Sequence, residues 1–120
     1  MPRRPSAAAR SLDPGEAAPL FAALGDETRL RLVSSLCKGG PTSIARLTEG
    51  TDVTRQAITK HLRVMEGAGL VRASWRGRES LWELEPERLE DARRCLDVIS
   101  KQWDAALGRL KKLVEAEPKP

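Results

Sequence analysis

Apolar residues recur at helical intervals through the first half of the chain, alternate briefly near the middle, and return to helical intervals almost to the end. Leu20, Phe21 and Leu24 give a short first helix, over Gly15 to Leu24, its apolar face. Asp26 offers an N-cap for "ETRLRLVSSLC", where Leu30, Val33, Leu36 and Cys37 mark the predicted buried face. "KGGP" ends this helix: Lys38 suits the negative helix end, Gly39 and Gly40 can take positive φ, and Pro41 blocks continuation. Thr42 can cap a brief third helix, "SIARLTE", predicted to be buried through Ile44, Ala45 and Leu47, and "GTD" makes the following turn. "TRQAITKHLRVMEGAGLV" then reads as a helix that stops at Gly-Ala-Gly and runs into extended chain. Leu70 to Trp75 and Glu79 to Leu84 read as two strands joined by a basic turn, Arg76-Gly77-Arg78. A long helix follows from Pro86 to Glu115, with proline tolerated in its first turn.

Two short helices around a glycine-containing turn, followed by one basic hairpin, outline a winged helix-turn-helix. The expected fold is therefore mainly α with a small β-hairpin. Residues 15–85 form the DNA-binding domain in this reading, and 86–116 a long C-terminal dimerisation helix. Pro2, Pro5 and Pro14, with Ser and Ala between them, predict a disordered basic tail over 1–14, and "EPKP" a frayed one over 117–120. Arg3, Arg4 and Arg10 are read as part of a solvated tail, with a basic arm on DNA as the alternative.

The helix after "GTD" has two unlike sides. With Thr54 as N-cap, Val53 and Ile58 fall where a hydrophobic staple places them. Taking Ile58 as zero and stepping about 100° per residue, Leu62, Met65, Ala57 and Val64 take the core side. Arg55, Thr59, Arg63, Gln56 and Lys60 fill one contiguous arc, from about 60° to 200°. Glu66 is the single acid in the stretch. That arc suits duplex DNA. Glutamine can bond bidentately to adenine, arginine to guanine, and threonine can touch a thymine methyl. Arg55, Gln56 and Thr59, on the first turns, are the base-reading candidates. Thr54, Lys60 and Arg63 are assigned to the backbone, and Arg76, Gly77 and Arg78 to the wing. A merely solvated amphipathic face is the plain alternative; the short helix before and the basic hairpin after weigh against it.

Charge adds modest support. The 120-residue chain carries a net charge of +4 and an isoelectric point near 9.5, which favours an anionic partner. Its two cysteines, Cys37 and Cys95, make no C-x-x-C pair, so no zinc knuckle or disulfide framework is indicated. Both are expected to act as small buried hydrophobes, with a redox pair as the other reading. His61, the one histidine, falls within the core arc and is expected to be packed and hydrogen-bonded rather than a ligand or base. No glycine-rich phosphate loop, nucleophile–base pairing or metal set is present in the sequence, so no enzyme and no cofactor are predicted. The N-terminus has no apolar secretory core and the sequence has no apolar run long enough for a membrane helix, so no membrane partner and a cytoplasmic location are expected.

"LFAALGDETRLRLVSSL", "TRQAITKHLRVMEGAGLV" and "WRGRESLWEL" together resemble the opening, recognition helix and wing of the ArsR-type (ArsR/SmtB) winged-helix repressors of bacteria. The resemblance spans residues 16–115. It implies a homodimer on an inverted-repeat operator that blocks transcription. It also implies dimerisation through the first and last helices, which brings in Leu20. The metal-sensing branch of that family carries a cysteine pair before the recognition helix, or Asp and His ligands on the last helix. "SIARLTE" has neither Cys nor His, and the last helix has no His, so the chain is similar to the metal-free branch. The rival to DNA binding is a winged-helix module that binds protein.

Leu89, Ala92, Leu96, Ile99, Trp103, Ala106, Leu110 and Leu113 recur at alternating spacings of three and four along the last helix. This heptad-like seam outruns what a small winged domain can cover. Its second half, Leu96, Ile99, Trp103, Ala106 and Leu110, is assigned to the dimer interface.

Overall fold

The computed structural model describes residues 13–116. Its elements are α1 (Pro14–Leu24), α2 (Glu27–Gly39), α3 (Ile44–Thr48), α4 (Arg55–Gly67), β1 (Val71–Arg76), β2 (Glu79–Leu84) and α5 (Pro86–Glu115). The predicted tails over 1–12 and 117–120 lie outside the described residues. Asp13 and Pro14, assigned to the tail by sequence, instead start α1: the Asp13 carboxylate accepts from the Gly15 N–H at 2.9 Å, and Pro14 takes the first helical position.

One core joins the helices to the hairpin. Leu20 and Ala23 of α1, Leu32 and Leu36 of α2, Leu47 of α3, and Ile58, Leu62 and Met65 of α4 meet Leu70, Val71, Trp82 and Ala92. On α2 the buried face differs from the predicted one. Leu32 and Leu36 are buried, whereas Leu30 is 53% exposed and Cys37 is exposed. The run carries two apolar stripes, and Leu30 sits about 160° around the helix from Leu32. Periodicity alone does not choose between them; packing against α1 and α4 does. Cys95 is half-buried, so neither cysteine is the core residue expected. Val64, at the edge of the predicted core arc of α4, is exposed.

The cap of α3 is Ser43, whose hydroxyl accepts from the Arg46 N–H at 3.3 Å. Thr42, predicted to cap it, pairs with Trp82 instead: each backbone N–H donates to the other's carbonyl at 2.9 Å. The α2–α3 connector thus adds a minimal third rung beside β2. Ala45, predicted to be buried, is exposed, since this helix rests on Leu47 with Ile44 partly covered.

β1 and β2 pair antiparallel, with Val71 opposite Leu84 and Arg76 opposite Glu79. A two-residue loop joins them, and Gly77 takes φ +63° as the first loop residue, the position that a II′ turn reserves for glycine. The predicted strand began one residue early. Leu70 belongs to the end of α4, where its N–H donates to the Met65 carbonyl at 2.9 Å, while Gly69 N–H donates to Glu66 at 2.9 Å. This is a Schellman closure, with Gly69 at φ +78° and its apolar pair, Leu70 and Met65, fully buried. Arg88 of α5 packs so close to Gly69 that a Cβ there would meet its side chain at 3.1 Å. The "GAG" in the sequence is the joint that fixes the wing relative to α4.

Leu20 corrects the predicted interface. It is 1% exposed and belongs to its own protomer's core, because α1 packs against α5 and α4 within the chain. Among the described residues, no helix is long and apolar enough to cross a membrane.

Candidate nucleic-acid interface

α4 is held rigidly at both ends. The Thr54 hydroxyl caps its start, accepting from the Ala57 N–H at 3.1 Å, and Val53 packs against the core that contains Ile58. As an acceptor in the cap, the Thr54 hydroxyl keeps its own proton to donate outward. The predicted polar arc is therefore presented on a fixed helix.

Thr54, Gln56, Thr59 and Lys60 line one open hollow on that arc with Ala57. Arg55 stands beside it, exposed. The Thr59 hydroxyl donates to the Arg55 carbonyl at 2.8 Å, so it faces outward with its methyl group and a lone pair. It can touch a thymine methyl or accept from a base amine, but it has no proton left to give.

Arg63 is differently placed. Its guanidinium bonds Glu66 at 2.9 Å and lies over the Trp82 ring, 5.2 Å from the centroid. The indole face is electron-rich and attracts that cation. Arg63 therefore links α4 to the wing and offers its remaining N–H groups to a phosphate. The sequence reading missed this platform, since Trp82 was read only as a strand residue.

Among the described residues, no ion pair neutralises Arg55, Lys60, Arg76 or Arg78, and all four are exposed. Other arginines are committed. Arg72 reaches Glu83 at 2.8 Å and Glu85 at 3.1 Å, Arg88 reaches Asp91 at 3.1 Å, and Arg93 reaches Glu90 at 2.5 Å. Among the described residues, unpaired positive charge is thus present on α4 and at the wing tip, as it also is at Lys38, Arg46 and along the distal half of α5.

His61 sits behind this surface, half-buried. Arg29 of α2 approaches its Nδ1 at 3.1 Å and also donates to the Ala23 carbonyl. A guanidinium can only donate, so Nδ1 accepts and the ring proton sits on Nε2. Asp26 stands 3.8 Å from the same Nδ1 and caps α2 through the Arg29 N–H at 3.0 Å. That backbone hydrogen bond, helped by the charge of Arg29 and by a second backbone hydrogen bond from Thr28, holds the Asp26 carboxyl below its ordinary value against the opposing effect of burial. The histidine is a bracket between α2 and α4.

Known proteins share this arrangement. A family described as a helix-turn-helix domain matches residues 24–73. The chain is 33% identical over 69 residues to the arsenical resistance operon repressor of Bacillus subtilis, covering 58% of this chain and 66% of that one. It is 33% identical over 95 residues to the HTH-type transcriptional regulator Rv2034 of Mycobacterium tuberculosis, covering 79% of this chain and 85% of that one. The solved structure of an ArsR-like transcriptional regulator from Rhodococcus sp. RHA1 superposes with a TM-score of 0.74 at 34% identity, covering 88% and 95% of the two chains. This chain belongs to the ArsR-type family. It is a winged helix-turn-helix transcriptional regulator that binds DNA. Within that ArsR-type frame α4 is the recognition helix and the β1–β2 hairpin is the wing.

Proposed function

We propose that the protein is a repressor that binds an inverted-repeat operator as a homodimer and does so without a metal. The observation that carries this reading is the donor arc of α4, uncompensated by acids at Arg55 and Lys60 and continued by Arg76 and Arg78 of the wing. Arg55, Gln56 and Thr59 read base edges in the major groove. Thr54, Lys60 and Arg63 hold the phosphates beside them, and the wing, turning at Gly77, follows the adjacent backbone or minor groove. A two-fold axis places two recognition helices about one helical turn apart, about 34–36 Å, which demands an inverted repeat. Occupying that site excludes the transcription machinery.

Reading and anchoring separate by mutation. Gln56→Ala is expected to relax preference at one operator position and cost about 1–3 kcal/mol on the best site. Lys60→Ala weakens all sequences alike. Affinities measured on the best site and on random duplex decide it: equal losses on both for Gln56→Ala would remove Gln56 from base reading.

Metal independence is a separate part of this proposal and rests on the sequence: "SIARLTE" has neither Cys nor His, and the last helix has no His. Operator affinity is expected to stay constant when Zn²⁺, Cd²⁺, arsenite or chelator is added in gel-shift titrations. A stoichiometric, reversible release from DNA by any of them would overturn it, and Cys37 and Cys95 would be the first residues to replace.

A further inference from the structure

Trp75 is 73% exposed, near the tip of the wing. Nothing in its own hairpin covers it. Its cross-strand partner is Ser80 and its neighbour along the same face is Ala73, both too small to shield an indole. The register also says which residues share its face. Val71, Ala73 and Trp75 of β1 share a face with Leu84, Trp82 and Ser80 of β2, because directly opposed residues lie on one side and side chains alternate along each strand. Trp82 on that face carries Arg63 of the recognition helix over its ring. The donor arc of α4 therefore runs through Arg63 onto the wing face that ends in Trp75. The turn beyond it presents Arg76 and Arg78 without acidic partners among the described residues.

An exposed tryptophan at such a place presents a large apolar surface on the wing face that carries Arg63, with Arg76 and Arg78 next to it in the chain. We propose that Trp75 is a DNA-contacting residue of the wing, its indole lying against the deoxyribose wall of the minor groove while Arg76 and Arg78 hold the flanking phosphates. This rests on the operator-binding reading above. The contact is apolar and displaces no counterion. It depends on groove width, so it discriminates by the shape of the flanking sequence rather than by base edges.

The test uses full-length protein and the duplex recovered by selection from random DNA. Trp75→Ala is expected to weaken binding about 5- to 30-fold, and Trp75→Phe to keep most of the affinity. The slope of log affinity against log salt stays at the parent value for Trp75→Ala, whereas Arg78→Ala lowers it by about one for each phosphate released. The fluorescence difference between the parent and Trp75→Phe isolates this indole. It is expected to be open to iodide quenching in free protein, and to become shielded and blue-shifted on the duplex. Unchanged affinity for Trp75→Ala with unchanged quenching on DNA would overturn the proposal while leaving operator binding intact. Shielding already present without DNA would assign Trp75 to a protein contact and overturn it too. If the parent protein selects no duplex at all, the operator reading itself fails and this inference falls with it. Trp75 is exposed, so circular dichroism is expected to show the fold unchanged in either variant.

Discussion

Trp103→Asp is expected to turn the protein into a folded monomer at micromolar concentration and to lower operator affinity about 10²–10⁴-fold, the gain lost when two linked half-site contacts become one. The seam along α5 divides as its burial shows. Ala92 is buried and Leu89 partly so, under the protomer's own core. Of the residues assigned to the interface, Ala106 is half-buried, while Leu96, Ile99, Trp103 and Leu110 are exposed, with Trp103 at 62%, and Leu107, outside the predicted seam, joins them. Stepping about 100° per residue, the five exposed residues fall within roughly 80° of one another, a single stripe. The proposed homodimer would give such a stripe on a 30-residue helix its partner, a second copy across a two-fold axis. Each of these side chains contributes about 1.5–3 kcal/mol when fully buried, and an aromatic anchor at the centre carries a large share. A carboxylate at Trp103 would have to leave water to enter that stripe, so the dimer gives way first. The monomer core does not use Trp103, so the winged domain stays folded. Sedimentation and operator titration check both halves. A folded dimer of Trp103→Asp would place the interface elsewhere, and a monomer with full affinity would uncouple dimerisation from binding.

Operator affinity is also expected to collapse with salt. Lys60, Arg63, Arg76 and Arg78 are each present twice in a dimer, and about 6–10 phosphate contacts would give a 10³–10⁵-fold loss between 50 and 200 mM salt. The lower part of that range is favoured, because Arg63 already spends part of its guanidinium on Glu66. Titrations at several salt concentrations measure the slope. A nearly flat response would mean that phosphate contacts do not dominate binding.

Much of this was legible in the residues because local chemistry and tertiary fold agree there. Asp26 and Thr54 cap the helices they were predicted to cap, and Gly77 turns the hairpin. The donor arc of α4 was readable because one helix was amphipathic in only one way, with Ile58, Leu62 and Met65 opposite Gln56 and Lys60. On α2, two apolar stripes compete, and only packing decides that Leu32 faces inward and Leu30 outward. Thr42 and Ser43 are both competent caps in sequence; Thr42 is withdrawn because β2 needs a partner for the Trp82 backbone. Leu20 could serve a core or an interface equally well by pattern, and the contact of α1 with α5 and α4 assigns it to the core. Trp82 under Arg63 and Trp75 at the wing tip depend on strand register, which period-two alternation does not fix by itself.

The most direct test of the account is selection of bound duplexes from a random double-stranded pool, followed by sequencing. The prediction is an inverted repeat whose half-sites lie about one helical turn apart, about 10–10.5 base pairs centre to centre, with one position loosened in Gln56→Ala. A pool that stays random after selection, or a motif without two-fold symmetry, would contradict it; the former result belongs to a winged helix that binds protein instead.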